Sequence, residues 1–348
     1  DLKMSAVYLR WGGRRNRANE IAASLGLTLV DLKWQAKHPL VVAIRYPVQF
    51  VQTLMRLIAY RPRVVISQHT QPFCSLAAAI YCRAVGAVLI TDCHNGPFID
   101  SPWNKPPISW INRLVYRWAK VNVVHNKEIH RWIINEGWPG KFVVLYDVIP
   151  TTPQTSAGDI YANQVFVMCS WSEDEPISQI LGAARLLPSL RFVISGQPRE
   201  RHKALLRDLP NNVRLSGFVS DFEYDSLLKT SAVAVALSTR KGVLTRACHE
   251  AIGAGTPVVT SDDPATRCYL EDAAEFSSNS AESIAKCISS ALTQSDTLRE
   301  KIPNLIKNRR EEWIEQATHL GTVAGVQTKN GRFCLIEPCQ SNRPSVDV

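Results

Sequence analysis

Short apolar runs alternate with longer stretches of helical periodicity along most of the chain. Residues 5–9, 28–31, 64–67, 85–91, 121–124 and 142–145 read as strands, and residues 17–25, 49–60, 73–83, 109–119 and 127–136 as helices between them. The runs are short and rich in Val, Ile and Leu, as strands covered on both faces require. Strand and helix in strict alternation predict a parallel sheet with crossover helices, an α/β domain that ends near Asp147.

A stretch rich in Pro, Thr and Ser follows at residues 149–158, with little that packs a core, and reads as a linker. The rhythm then restarts. Strands are expected at 165–168, 191–195, 213–215, 233–237 and 257–261, and helices at 177–187, 203–209, 225–229 and 245–253. The expected organisation is therefore a first Rossmann-like domain at 1–148, a linker at 149–160, a second Rossmann-like domain at 161–320 and a C-terminal extension at 321–348. In doubly wound sheets, ligands lie beyond the carboxyl ends of the strands at the switch point. Chemistry is thus to be sought in the loops after Met168, Ser195 and Leu237.

Composition changes this picture little. With 348 residues, 45% hydrophobic and 20% charged, the chain fits two ordinary globular domains and excludes fibrous or disordered classes. No apolar run spans a bilayer and no secretion signal is evident at the start. The expectation is a cytoplasmic protein, with peripheral contact to the inner face of a membrane left open. The nine cysteines stand singly, without zinc-ligand spacing, so no metal site is expected.

A formal charge of +9 marks a surface that attracts anions, whether nucleotide, anionic lipid or nucleic acid. Nucleic acid is set aside, because no recognition-helix pattern, aromatic RNA-binding motif or basic tail accompanies the charge. Residues 45–63 mix Phe50, Leu54, Met55, Leu57 and Ile58 with Arg45, Arg56, Arg61 and Arg63. That mixture suits an anionic membrane surface or, equally, a packed crossover helix with basic ends.

The segment from Leu237 to Asp262 carries the most chemistry. A strand runs into a basic, glycine-containing loop, a helix follows, and Gly255-Thr256-Pro257 turns the chain back to a strand. Amides and the helix dipole at Gly242, Val243 and Leu244, with Arg240 and Lys241 beside them, favour a diphosphate. Glu250, two turns into the helix, has the acceptors for both hydroxyls of a ribose. An exposed loop with a solvated glutamate is the plainer alternative.

The sequence from Glu250 to Val259 resembles the signature of retaining glycosyltransferases of family 4, which have the GT-B fold of two Rossmann-like doubly wound domains facing a cleft. Ser170-Trp171-Ser172-Glu173-Asp174-Glu175 resembles the first loop of the second domain in related mannosyltransferases that act on dolichol-linked chitobiose. Asp92-Cys93-His94-Asn95-Gly96 and Val123-Val124-His125-Asn126 are similar to segments of bacterial family 4 polysaccharide enzymes. The resemblance spans roughly residues 5–313. It implies transfer of a hexose from a GDP- or UDP-sugar donor to a glycan or lipid-linked acceptor, with retention and without a metal or other cofactor. It also places the donor nucleotide on the second domain, the ribose on Glu250, and the donor sugar or acceptor near His94, the one catalytic candidate.

Two departures matter. Family members carry a first, sugar-contacting glutamate with seven residues between it and the second, and here Gly242 holds that position. Many also clamp the donor phosphates with a Gly-Arg pair and a lysine after the first strand of the second domain. This chain has Ser170-Trp171-Ser172 and three acids instead, read as a helix start, with Ser172 as a neutral donor contact. A sugar-nucleotide-binding relative with a regulatory role, or a GT-B epimerase or hydrolase, therefore stands beside the transferase reading. In the first domain, Gly12 and Gly13 suit close backbone approach to a ligand, and Arg14, Arg15 and Arg17 suit either an anionic acceptor or a solvated loop. His69 is an open candidate, and His125 reads as a structural histidine.

Overall fold

The computed structural model describes residues 5–12, 17–34, 39–70, 72–94, 98, 104–150 and 160–334. It divides into two compact units, residues 1–148 with 312–348, and residues 149–311.

In the first unit the chain runs β1 (Ala6–Arg10), α1 (Arg17–Leu25), β2 (Thr28–Asp31), α2 (Pro39–Tyr60), β3 (Val64–His69), α3 (Pro72–Val85), β4 (Val88–Cys93), α4 (Ile108–Trp118), β5 (Val121–Val124), α5 (Lys127–Asn135) and β6 (Phe142–Val144). All pairings are parallel, in the order β2-β1-β3-β4-β5-β6. Every residue of β1, β3 and β5 is buried, the polar Arg10, Ser67, Gln68, His69 and Asn122 included, as strands covered on both faces require. The order reverses between β1 and β3, so the carboxyl ends of these strands and of β4 form this sheet's ligand edge.

The second unit holds β7 (Tyr161–Val167), α6 (Ile177–Leu186), β8 (Arg191–Ser195), α7 (Lys203–Leu206), β9 (Val213–Gly217), α8 (Asp221–Thr230), β10 (Ser231–Ala236), α9 (Arg246–Gly253), β11 (Val258–Ser261), α10 (Pro264–Leu270), β12 (Ala274–Ser277) and α11 (Ala281–Thr293). Its parallel order is β12-β11-β10-β7-β8-β9, with the switch point between β7 and β10. A core of Val165, Val167, Phe192, Ile194, Val233, Val235, Ile284 and Ile288 lies between this sheet and α6 and α11. Gly253 is obligatory in its place, since a Cβ there would come within 2.5 Å of the Pro150 carbonyl oxygen.

The long α12 (Ser295–Ala324) leaves the second unit at Glu311, short of the expected limit at residue 320. From Glu312 it packs with the first unit: Trp313 Nε1 donates to the Tyr146 carbonyl (3.2 Å), and the Tyr146 amide donates to Gln316 (2.9 Å). Within the expected C-terminal extension the chain forms a hairpin of β13 (Thr328–Lys329) and β14 (Arg332–Phe333). Asn330 and Gly331 supply the positive φ values its tight turn needs. Of the expected linker, residues 151–159 lie outside the described residues, whereas Ile149 is buried.

Two helices start well ahead of expectation. α2 starts at Pro39 and carries Pro47 inside it, ahead of the expected start at residue 49. α8 starts at Asp221 because Ser220 and Glu223 form a capping box. No helix among the described residues is long and apolar enough to cross a membrane. The described cysteines are free thiols, and no group of three metal-ligating side chains occurs among the described residues.

Candidate functional site

At the switch point of the second unit, the loops after β7 and β10 are bound to each other through Asp174. Its carboxylate accepts from Ser172 Oγ (2.6 Å) and Ser238 Oγ (2.8 Å), Arg240 Nη2 stands 3.6 Å away, and its carbonyl accepts from the Thr239 amide (2.6 Å). The two hydroxyl donors and Arg240 outweigh the cost of burial, and the carboxyl is held below its usual pKa. Asp174 is therefore an anion, placed where the sequence pointed to diphosphate.

The three acids do not cap a helix, contrary to expectation. α6 begins only at Ile177, after Pro176, which has no side chain to donate or accept. Glu175 instead closes the loop on itself by accepting from the Ser170 amide (3.0 Å) and the Ser172 amide (2.7 Å), and Glu173 pairs with Arg201 at the surface. Ser172 has its amide and its hydroxyl proton committed within this loop. Trp171, at φ 60°, is fully buried, with its indole N–H on the Ser195 carbonyl (2.9 Å).

In the loop after β10, Lys241 is exposed and makes no ion pair among the described residues. Leu244 is buried, so it contributes packing, and Val243 is half-buried. The Gly242 amide, expected to be available to phosphate, donates to Asp263 Oδ2 (2.9 Å). Gly242 sits at φ 69°, a conformation that L side chains rarely adopt, with open space where a Cβ would lie. A glutamate there is disfavoured by its backbone, not by crowding. The helix end lies a little further on than expected: α9 starts at Arg246, and its N-cap Thr245 makes no side-chain bond to the first-turn amides.

Glu250, half-buried on α9, is fixed from two sides. Tyr224 of α8 donates to Oε2 (2.9 Å) and Arg246 donates to Oε1 (3.0 Å). Burial and the neighbouring carboxylate push the Tyr224 hydroxyl well above its usual pKa, so it remains a donor. Neither Tyr224 nor Asp263 stood out in the sequence, since both meet the site through folding alone. The same is true of a cavity of about 490 Å³ at the carboxyl ends of β8 and β9, lined by Gln197, Arg199, Lys203, Leu215, Ser216 and Gly217. Its legible signal was a glycine at the end of each strand, Gly196 and Gly217, both at positive φ.

In the first unit a buried ion cluster occupies the ligand edge. Arg17 donates through Nε to Asp92 (3.0 Å), through Nη2 to the Leu145 carbonyl (2.8 Å), and also to Asp147, while the Tyr8 hydroxyl donates to Asp92 (2.5 Å). Arg17 and Asp92 are almost fully buried. Arg17 is thus a structural cation and not a contact for an anionic acceptor. Burial of Asp92 is outweighed by Arg17, which keeps the carboxyl below its usual range.

His94 follows β4 beside this cluster, half-buried, with Nε2 at 3.2 Å from the Gln68 amide nitrogen. Burial lowers its pKa against the pull of Asp92, and Arg17 lowers it further. A neutral ring that accepts from Gln68 at Nε2 carries its proton on Nδ1, where it can donate. His69 is buried, bonded to Asn112 (3.1 Å) and pushed down to about 4 by burial, a structural position. His125 is also pushed down to about 4 by burial and then by Arg17. Gly12 has open space at its Cβ position and donates its amide to Asp31 (3.3 Å). Gly13, Arg14, Arg15, Asn95 and Gly96 lie outside the described residues.

Solved structures of similar fold cover nearly the whole chain. A sucrose-phosphate synthase from Thermosynechococcus elongatus superimposes with a TM-score of 0.69 at 11% identity, covering 92% of this chain and 98% of that one. Anabaena Alr3699/HepE, solved with UDP and glucose, gives 0.64 at 15% identity, covering 88% and 95%. The fold is GT-B. Within this GT-B chain, residues 162–318 match the family model of glycosyl transferases group 1. A putative UDP-N-acetylglucosamine 2-epimerase from Listeria monocytogenes shares the GT-B fold at a TM-score of 0.60 and 13% identity, covering 96% and 100%. No curated protein matches the chain.

Proposed function

We propose that this protein is a glycosyltransferase that moves a hexose from a nucleoside diphosphate sugar to a hydroxyl of a glycan or lipid-linked acceptor, with retention of configuration. The observation that carries the reading is the match of residues 162–318 to glycosyl transferases group 1, which takes in β7, the loop after β10, and Glu250. The nucleotide belongs on the second unit. Glu250, oriented by Tyr224 and Arg246, accepts from the ribose hydroxyls, and the cavity at the ends of β8 and β9 takes the base. Arg240, Lys241 and the uncapped first turn of α9 face the diphosphate, where they stabilise charge growing on the leaving group. His94 donates from Nδ1 to the transferred sugar or the acceptor, and Gly12 leaves room for backbone approach.

UDP is the first nucleotide to test, because Alr3699/HepE has been solved with it. Calorimetric titration with UDP, GDP and ADP should reveal one preferred base. Glu250→Ala should weaken that binding by about 1.5–3 kcal/mol, the scale of lost charge-assisted hydrogen bonds. Unchanged affinity in a folded Glu250→Ala protein removes Glu250 from the site.

A second reading is favoured by one feature, the glycine at φ 69° where the family's sugar-contacting glutamate would stand. An epimerase or hydrolase of GT-B fold, or a regulatory sugar-nucleotide binder, does not need that carboxylate for transfer. Release of nucleoside diphosphate separates the readings: a transferase needs the acceptor, a hydrolase releases it in water alone, and a binder releases none.

A further inference from the structure

The helix α2 carries apolar side chains on its outer side as well as its inner one. Its buried face joins Leu57, in the core of the first unit, to Gln49 and Thr53, with Gln49 donating to the Leu32 carbonyl (3.0 Å) and Thr53 accepting from Trp11 Nε1 (2.9 Å). Its solvent face carries Val51, Met55 and Ile58, and Met55 is 65% exposed. These positions recur at helical spacing, so they form one continuous apolar stripe. An ordinary crossover helix of a soluble domain keeps its outer side polar.

The stripe extends across two more helices. α3 packs against both α2 and α4, and the outer side of α4 presents Trp110, 67% exposed, and Leu114. Arg113 and Arg117 lie on that same outer side of α4, and Arg56 and Arg83 are exposed on α2 and α3. No aspartate or glutamate occurs in α2, α3 or α4. A solvated helical face normally mixes both signs of charge, whereas this layer combines bulky apolar groups with arginine alone.

We infer that the α2–α3–α4 face is a docking surface for an anionic lipid bilayer. The occupant follows from the charge. A second copy of this chain would set arginine against arginine in a symmetric contact, and a neutral apolar partner would leave the guanidinium groups without counter-ions. Anionic headgroups satisfy the arginines while Met55, Ile58 and Trp110 enter the boundary between headgroups and acyl chains, as an amphipathic surface helix does. The aromatic ring of Trp110 suits that boundary, and the arginine side chains extend to the headgroups.

The test is flotation of the full chain with vesicles of phosphatidylcholine containing 30% phosphatidylglycerol, set against vesicles of phosphatidylcholine alone (about 30% anionic lipid gives a strong surface potential). The wild-type protein should float with the anionic vesicles and remain behind with the neutral ones. The double variant Met55→Glu, Ile58→Glu and the single variant Trp110→Glu should each bind about tenfold more weakly or worse, since both remove apolar insertion and add repelled charge. Arg113→Gln with Arg117→Gln should bind about thirtyfold more weakly, at the usual contribution of each arginine near an anionic surface. Leu186→Glu, an exposed position of the second unit, should leave flotation unchanged. All these sites are at the surface, and unaltered circular dichroism with unaltered nucleotide titration verifies that each variant is folded. Failure of the wild type to float overturns the inference, as does flotation that survives all three helix-face variants. A concentration-dependent dimer without lipid, dissociated by Met55→Glu, would assign the face to a second copy instead and likewise overturn it.

Discussion

Replacing Arg17 by methionine removes the cation from the buried cluster of the first unit and leaves two carboxylates behind. Arg17 Nε is 3.0 Å from Asp92, and at an effective dielectric of about 20 that separation corresponds to roughly 5–6 kcal/mol of attraction before desolvation. The variant no longer has to bury a guanidinium, which offsets part of this. It must, however, keep Asp92, only 1% exposed, as an unpaired charge or protonate it. The net loss should be about 3–5 kcal/mol, the range found when one partner of a buried ion pair is removed. A typical domain has about 5–15 kcal/mol in all, so the first unit of the variant should be close to unfolding.

Urea denaturation followed by tryptophan emission measures this directly, because every tryptophan except Trp171 belongs to the first unit. The sign of the pH dependence is specific. With Arg17 present, the folded pKa of Asp92 lies below its ordinary value, so the stability it contributes is present above that value and lost only as pH falls through the depressed pKa. Without Arg17, burial raises the folded pKa above the unfolded one. The deficit of the variant relative to wild type should then be largest at pH 7.5 and shrink as acid neutralises Asp92. A loss under about 1 kcal/mol at pH 7.5, or a deficit that grows toward pH 5, would refute the account of a dry, charge-balanced cluster. Arg17→Lys, which keeps the charge without the forked geometry, should fall between the two.

Three further outcomes follow from the same structure. His69 and His125 have folded pKa values lowered to about 4, so the unfolded chain takes up protons first, and the first unit should lose stability as pH falls from about 6.5 toward 4; His69→Gln should flatten that slope in the same fluorescence assay. Asp174→Asn removes an anion beside Arg240 and should tighten nucleoside diphosphate binding several-fold by calorimetry, whereas weaker binding would show that Asp174 supports the ligand through Ser172 and Ser238. Gly242→Glu should cost about 1–2 kcal/mol in thermal unfolding because a side chain is forced into left-handed backbone, and should not increase turnover with any sugar nucleotide.

The sequence by itself determined the two parallel sheets and the alternation of strand and helix that builds them. Apolar runs such as residues 64–66 and 233–237 suit strands covered on both faces, and that constraint is local in the chain. Glycine positions were legible for the same reason, since φ is a property of one residue. What only the tertiary structure decided is which polar groups meet. Asp174 read as a helix start and proved to bridge the loops after β7 and β10, 64 positions from Ser238. Arg17 read as a loop cation and proved to be held between Asp92 and Asp147, 75 and 130 positions away. The Tyr224 hydroxyl that orients Glu250 comes from another helix, and α2 sends Leu57 into the core while Val51, Met55 and Ile58 are left outside. Periodicity fixes that a helix has an apolar face, but only the packing of its neighbours fixes which way that face points.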